Sequence, residues 1–399
     1  MSKLRLESTR LDSVDALRGF ALLGILLVNI AYLASGYRMA GLPEPGFSSP
    51  ADWGVRWGVT LLVENKFYLL FSFLFGYSFT LQMASAARRG AGFTPMFLRR
   101  LGGLFVLGVA HSVLLFPGDI LTTYAVVGLA LLALRNLSPR RALWLAAALT
   151  MVLALGFLVL AALAKMGYPV TGSIAGGVAE ANLADQLQQG TPAQVISDHV
   201  RKLSFIAVAR VLFQGPAVLA ACLVGLALGK MTALRDVSGA TALLRRLQWL
   251  GFTVGLLGAL VYTLATWNGV GHKFLGQAVD LVTAPLLAAA YAATLLRLLP
   301  RFPLLTRVLA APGRMALSNY LAQSLICSLI FTGYGFALIE RVSPPTEVGI
   351  AVLIFIAQAA CSHWYLRAHR YGPVEFVLRW LTYWRRPGPS RVSASGTDG

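Results

Sequence analysis

The sequence predicts an all-α protein, a polytopic transmembrane helical bundle of about ten spans with both termini cytoplasmic. Three observations carry this expectation. Of 399 residues, 57% are hydrophobic and 13% charged, with a mean hydropathy of +0.68; a soluble domain carries about 25% charged residues. Ten apolar windows of span length follow one another along the chain. Arginine and lysine gather in every second connection between them. This pattern excludes a disordered chain, a nucleic-acid-binding domain and an ordinary soluble enzyme, and leaves no stretch for a large soluble domain.

The windows are 14–34, 65–84, 100–116, 119–135, 142–164, 203–229, 247–267, 277–299, 315–338 and 346–366. The first follows Lys3, Arg5 and Arg10, as a signal peptide would. It contains Asp15 and Arg18 and lacks a small-residue cleavage site behind it, so it reads as a retained span. Residues 53–63, with Trp53 and Trp57, read as an interfacial or re-entrant helix ahead of span two. Spans three and four meet at Phe116-Pro117-Gly118-Asp119, the turn of a helical hairpin. The polar segment 165–202, rich in Gly, Ala and Gln, is expected outside the cytoplasm with an amphipathic helix near 178–189. It separates an N-terminal five-span bundle, 14–164, from a C-terminal five-span region, 203–384, that ends in an amphipathic cytoplasmic tail. Residues 1–13 form a cytoplasmic N-tail, and 385–399, rich in Pro, Gly and Ser, are expected to be disordered.

Orientation follows from the basic residues. They cluster in the N-tail, then at Arg88, Arg89, Arg99 and Arg100, at Arg135, Arg140 and Arg141, at Lys230 to Arg246, and at Arg297 to Arg314. The connections between these clusters are poor in base. Retention of arginine and lysine on the cytoplasmic side accounts for the formal charge of +18 without a polyanionic partner. Cys222, Cys327 and Cys361 all sit in apolar runs with no metal-ligand spacing, so neither a disulfide framework nor a metal site is expected.

Ionisable groups inside spans are costly and therefore informative. They form two layers. On the outer side lie Glu64 and Lys66 at the start of span two, His111 in span three, Asp119 heading span four, Arg210 in span six and Asp280 in span eight. His111 and Asp119 flank the hairpin turn, so the carboxylate can orient the imidazole as acyl transfer requires. A helix-capping role for Asp119 explains the same residue. On the inner side Asp15 and Arg18 are neighbours on one helical face. With Arg99, Arg100 and Arg314 they offer a basic pocket able to fork onto phosphates, such as those of coenzyme A. Asn319 and Tyr320 in span nine are candidates to position a thioester. Interhelical hydrogen bonding is the structural alternative for Asn319.

Several strings carry a resemblance. The opening run Leu11 to Ile25 (LDSVDALRGFALLGI), Phe71 to Gly76 (FSFLFG) and His111 to Leu121 ending in PGDIL are the first of them. With Gly313 to Ser324 and the tail motif Tyr371 to Arg379, they resemble the YeiB-like family of bacterial inner-membrane proteins. That family is related to transmembrane acyltransferases such as heparan-alpha-glucosaminide N-acetyltransferase. The resemblance implies a multi-pass protein of the bacterial cytoplasmic membrane. It would move an acyl group from cytoplasmic acyl-CoA to an extracytoplasmic glycan or lipid acceptor. In that reading His111 and Asp119 are catalytic. Asp15, Arg18, Arg99, Arg100, Arg314, Asn319 and Tyr320 hold the acyl-CoA donor, and Glu64, Lys66, Arg210 and Asp280 meet the acceptor. A secondary transporter or exporter of a small molecule is the alternative. The expected partners are the lipid bilayer and a small-molecule or glycan acceptor, with homo-oligomerisation left open and nucleic acid excluded.

Overall fold

A computed structural model describes residues 3–90, 92–170, 174–231, 241–267 and 270–383. Among these the chain is helical throughout, with no strand. The helices are α1 Lys3–Ala34, α2 Gly36–Ala40, α3 Pro50–Leu62, α4 Lys66–Arg88, α5 Phe93–Leu114, α6 Leu121–Ala133, α7 Pro139–Lys165 and α8 Ile174–Gln189. There follow α9 Pro192–Lys230, α10 Thr241–Thr266, α11 Val270–Leu298, α12 Pro303–Arg314, α13 Ala316–Phe331, α14 Pro344–Ala368 and α15 Pro373–Tyr383. Four starts share one local signal. Ser49-Pro50, Ser138-Pro139, Thr191-Pro192 and Ser343-Pro344 each place a hydroxyl residue at the N-cap and proline in the first turn, where its missing N–H costs nothing. Ser49 and Thr191 complete capping boxes with Asp52 and Gln194.

Each of the ten windows falls on an apolar helix. Eight helical stretches are long and apolar enough to cross a membrane, and α6 and α13, with 13 and 16 residues, are shorter. At helical rise α6 covers about 20 Å, less than a hydrocarbon core of about 30 Å. Its start explains this: the turn before it lies inside the bundle, with Phe116, Pro117, Asp119 and Ile120 buried.

Other boundaries differ from expectation. The N-tail is helical from Lys3, continuous with α1. The polar segment does hold a helix, α8, but α9 begins at Pro192, well inside the expected loop 165–202. Span nine stops at Phe331, with turns and irregular backbone over 332–343 instead of helix to 338. The short amphipathic helix α12 precedes it, unforeseen in the sequence. Residues 385–399, expected to be disordered, lie outside the described residues.

One continuous apolar core joins α1, α4, α5, α6, α9, α12 and α13. Glycines set its closest crossings. A Cβ at Gly76 would stand 2.0 Å from the Cys222 carbonyl oxygen, and one at Gly225 2.1 Å from that of Phe73, so α4 and α9 pack backbone to backbone. Gly313 and Gly19 do the same for α12 and α1. The bundle has two chemically distinct ends. Arg18, Arg100, Arg314 and α15 share one; α2, α8 and the turns over 332–343 share the other, tied by Gly333 N–H to Gln188 O and Glu340 N–H to Ala34 O. At the basic end Lys230 donates to the Arg135 and Leu137 carbonyls, closing the C-terminus of α6.

Gly225→Val should therefore destabilise by about 1–3 kcal/mol or more through overpacking, seen as a lower midpoint in thermal unfolding in detergent. Gly156→Ala, where a Cβ meets nothing within 4 Å, should be neutral or raise that midpoint.

Candidate functional site

The buried reversal between α5 and α6 organises the centre of the molecule. A helix that ends away from water leaves carbonyls without partners. Here three of them are met by side chains from elsewhere. His199 Nδ1 bonds Val113 O at 3.0 Å, Ser328 Oγ bonds Leu115 O at 2.8 Å, and the Arg210 guanidinium bonds Pro117 O.

Asp119 then performs both roles that its position allows. Its Oδ2 accepts from the Thr122 N–H at 2.8 Å and the Thr122 hydroxyl at 2.9 Å, capping α6. Its Oδ1 lies 2.9 Å from His111 Nδ1, with the two side chains 0% and 1% exposed. The imidazole is thereby fixed, and its Nε2 is enclosed without a hydrogen-bond partner among the described residues. The Tyr320 ring packs beside it, centroids 5.0 Å apart. Arg210 reaches the same group through Thr122 Oγ1 at 3.4 Å.

Arg210 also faces a cavity of about 460 Å³. Glu64, Asn65, Gln214 and Gln277 line it, together with Gly118 and Ile120 of the reversal, while His111 stands behind that turn and outside the lining. Arg210 to Gln214 form a π-helical turn within α9, a departure often found where a helix must aim side chains at a site. Glu64 accepts from the Tyr32 hydroxyl at 3.2 Å. Asn65 takes a left-handed conformation (φ 67°) in the break between α3 and α4, and its amide donates to Asp280 Oδ2 at 2.8 Å. Lys66 Nζ lies 3.3 Å from Asp280 Oδ1, both side chains fully enclosed. Of the four expected acceptor residues, Lys66 and Asp280 pair with each other outside the cavity lining, while Glu64 and Arg210 both line the cavity.

At the basic end Arg18 bonds Asp15 at 2.6 Å and also reaches Ser78. Arg100 is close enough to feel the charges of Arg18, Glu375 and Arg379, and its Nε is buried without a partner. Arg314 sits near Asp15 and is exposed. Three expected members do not join. Arg99 faces outward and donates to Pro95 O on its own helix. Asn319 gives its amide to Pro312 O and the Ser362 hydroxyl, while Gln358 bonds its carbonyl and Gln323; it fastens α13 to α14, the structural alternative. Tyr320 lies by His111, not among the arginines.

Sequence reasoning missed Arg379, Glu375 and His199. Arg379 stacks on Tyr371 and Tyr383. Glu375 accepts from the Leu317 and Ser318 N–H groups, capping α13. His199 was hidden because the polar segment was extended to 202, past the helix start at Pro192; it makes His111 one of two histidines at the reversal. A buried Arg56–Glu44 pair between α3 and the preceding turn was missed as well. Among the described residues no three His, Cys, Asp or Glu side chains are arranged to hold a metal ion.

Comparison with known proteins adds likeness without activity. Residues 228–385 match the family described as a protein of unknown function, DUF418. The chain is similar to the uncharacterized protein YxaH of Bacillus subtilis, 29% identical over 96% of this chain and 97% of the relative. It is likewise 29% identical to the uncharacterized protein YeiB of Escherichia coli, over 95% and 97% of the two chains. An uncharacterized 39.9 kDa protein in the amylase 3′ region of Bacillus acidopullulyticus is 29% identical over 94% and 95%.

Two predictions follow from the charges. Asp280→Leu strands the enclosed Lys66 ammonium and should cost about 3–5 kcal/mol; Lys66→Met/Asp280→Leu should recover most of that in thermal unfolding. At the other end of the bundle, burial raises Asp185 from 3.8 to about 6 and Glu340 from 4.5 to about 7. Asp185 accepts the Gly36 N–H at 2.9 Å; Lys202, Asp198 and Glu44 face it, and Asp185, Glu44 and Arg56 face Glu340. A carboxyl whose folded value is raised is deprotonated first in the unfolded chain, so its ionisation opposes folding. The α2–α8 corner should lose stability as pH rises from about 4 through about 7. Amide exchange at Gly36 should be slower at pH 5 than at pH 8 after correction for intrinsic rates, and Asp185→Asn should flatten that difference.

Proposed function

We propose that this chain, similar over nearly its whole length to the uncharacterized proteins YxaH and YeiB, is an acyltransferase of the bacterial cytoplasmic membrane. It takes the acyl group from cytoplasmic acyl-CoA and passes it to an acceptor on the far side. The observation that carries this reading is the enclosed His111–Asp119 pair, in which His111 Nε2 has no partner among the described residues. A positioned imidazole with one committed and one free nitrogen is the arrangement of a general base.

Depth supports the donor side. Arg100 and His111 lie eleven residues apart on α5, hence on nearly the same face and about 16 Å apart along the axis. A pantetheine arm spans that length. The phosphates of the donor would meet Arg18, Arg100, Arg314 and Arg379, the first two of which share one patch with α15. His111 Nε2 takes the proton of the acceptor hydroxyl or amine as that heteroatom attacks the thioester carbonyl. The C–S bond then breaks and the coenzyme A thiolate leaves with the proton. Asp119 holds the ring and offsets the imidazolium charge. Tyr320 packs against the ring, while Arg99 and Asn319 take no part. The basic end faces the cytoplasm in this reading, as retention of arginine requires.

The experiment is release of free thiol from labelled acetyl-CoA by the purified full chain in nanodiscs. His111→Ala should lose at least about 100-fold in turnover, the lower end of the general-base contribution, with the thermal midpoint checked in parallel. Arg100→Ala should raise KM with little change in kcat. Turnover undiminished in His111→Ala removes the base from the mechanism.

A carrier is the second reading, and the enclosed Lys66–Asp280 pair beside the cavity favours it, since intramembrane ion pairs mark proton and substrate paths. Flux into proteoliposomes that needs an ion gradient and ignores acyl-CoA would select it.

A further inference from the structure

The large cavity changes character along α9. The residues of that helix that face it are Phe205, Ile206, Ala209, Arg210, Phe213, Gln214 and Ala217, one helical strip. Phe205 at the start of the strip is 79% exposed and Ala217 at its end is buried, so the cavity opens beside Phe205 and closes at Ala217. The closed end is apolar: Ala217 packs with Leu153 and Leu281, flanked by Phe157 and Phe213, in a cluster separate from the main core. Arg210 stands between the mouth and the closed end. Its terminal nitrogens bond Pro117 O and Thr122 Oγ1, and its Nε–H has no partner among the described residues. Asp119, whose charge Arg210 feels, lies outside the lining and is engaged by His111 and Thr122. Glu64 does line the cavity, but Arg38 and Lys273 stand close enough to offset its charge. Arg210 is therefore the charge left for a ligand to meet.

Depth orders these parts as an amphiphile is ordered. Lys230 closes the basic end of the bundle, and Arg210, twenty residues before it on α9, stands about 30 Å away at helical rise. That is about the thickness of a hydrocarbon core, so Arg210 lies at the rim of the core opposite the basic end. Ala217 is only about 20 Å from Lys230, inside the core. A charge at the rim and an apolar pocket below it match a molecule with an anionic head and a hydrocarbon tail.

We propose that this cavity binds a fatty acid, which enters tail first from the membrane face opposite the basic end. Its carboxylate sits on the free Nε edge of Arg210, and its chain runs past Phe213 and Phe157 to the closed end at Ala217 and Leu281. A volume of about 460 Å³ lies within the range of small-molecule sites. The lining selects among amphiphiles. An alkyl alcohol brings no anion to the guanidinium, and a short acid leaves the apolar end unfilled. An alkyl phosphate dianion calls for a second cation, and Arg38 and Lys273 already answer Glu64. A diacyl lipid brings two chains to one closed end. The site goes beyond the acyltransferase reading and does not need it: the bound acid is not an acceptor and does not meet His111.

The test uses the purified full chain in phosphatidylcholine nanodiscs with hexadecanoic acid that bears a photoreactive diazirine in its chain. Cross-links should map to peptides holding Phe157, Phe213 and Ala217. Unlabelled hexadecanoate should compete at least about tenfold better than hexadecanol, hexadecyl phosphate, acetate or phosphatidylglycerol, a margin that a charge-assisted bond or a buried chain supplies. Arg210→Gln should erase the advantage of the acid over the alcohol. Ala217→Trp, which fills the closed end and leaves Arg210 in place, should reduce labelling about tenfold. The wild-type competition needs no variant, so a misfolded mutant leaves the test intact. Labelling spread evenly over all lipid-facing helices overturns the proposal, because bulk lipid then fills the cavity. Equal competition by any one of the four other compounds also overturns it. Cross-linking without acetyl-CoA turnover defeats the enzyme and keeps the site; turnover without cavity cross-linking does the reverse.

Discussion

Hydrocarbon offers no hydrogen bonds, and a backbone that reverses direction inside it must find every partner within the protein. The turn between α5 and α6, buried within the bundle, meets the same demand. Val113, Leu115 and Pro117 present carbonyls left over by the reversal, and His199, Ser328 and Arg210 answer from three different places in the sequence. This necessity brings α9 and α13 against the turn. The turn they hold is the one that sets Asp119 against His111. Structure and chemistry share one set of side chains, which is why Asp119 caps a helix and holds an imidazole at once.

The same economy governs the other polar groups. Lys66 and Asp280 enclose each other under the break that Asn65 makes possible, and Lys230 closes α6 from the basic end. Glycine contacts between α4 and α9 keep these partners within reach, because side chains of ordinary size would hold the two backbones apart. Polarity is arranged in depth: arginines at one end, the imidazole and the Arg210–Glu64 cavity further along, and a carboxyl-rich corner at the other end.

Fold class was legible because hydrophobic windows and basic clusters are long, repeated signals. The pairing of His111 with Asp119 was legible because a Pro-Gly turn between two apolar runs fixes which helices are neighbours. What escaped depends on tertiary contact. Thr191-Pro192 is a strong helix start in plain sight, yet the polar residues after it read as a loop, and His199 was lost with them. Asn319 and Arg99 carry the same functional groups as the other candidate residues; only the neighbours Ser362 and Pro95 decide that they bind protein instead. Arg379 sits on a helix whose docking against α5 has no signature in composition. The cavity itself arises from six segments distant in sequence.

The π-helical turn at Arg210–Gln214 carries one residue more than an α-helical turn of the same rise. That surplus acts as a phase shifter. Everything from Pro192 to Ala209 is rotated by about 100° relative to Gly215–Lys230 compared with an unbroken α-helix. The half of α9 that presents His199 and the half that presents Cys222 to α4 are thereby tuned separately. A one-residue deletion in this turn would leave composition and hydropathy almost untouched while swinging His199 off the carbonyl it serves, so length polymorphism here is far more consequential than substitution.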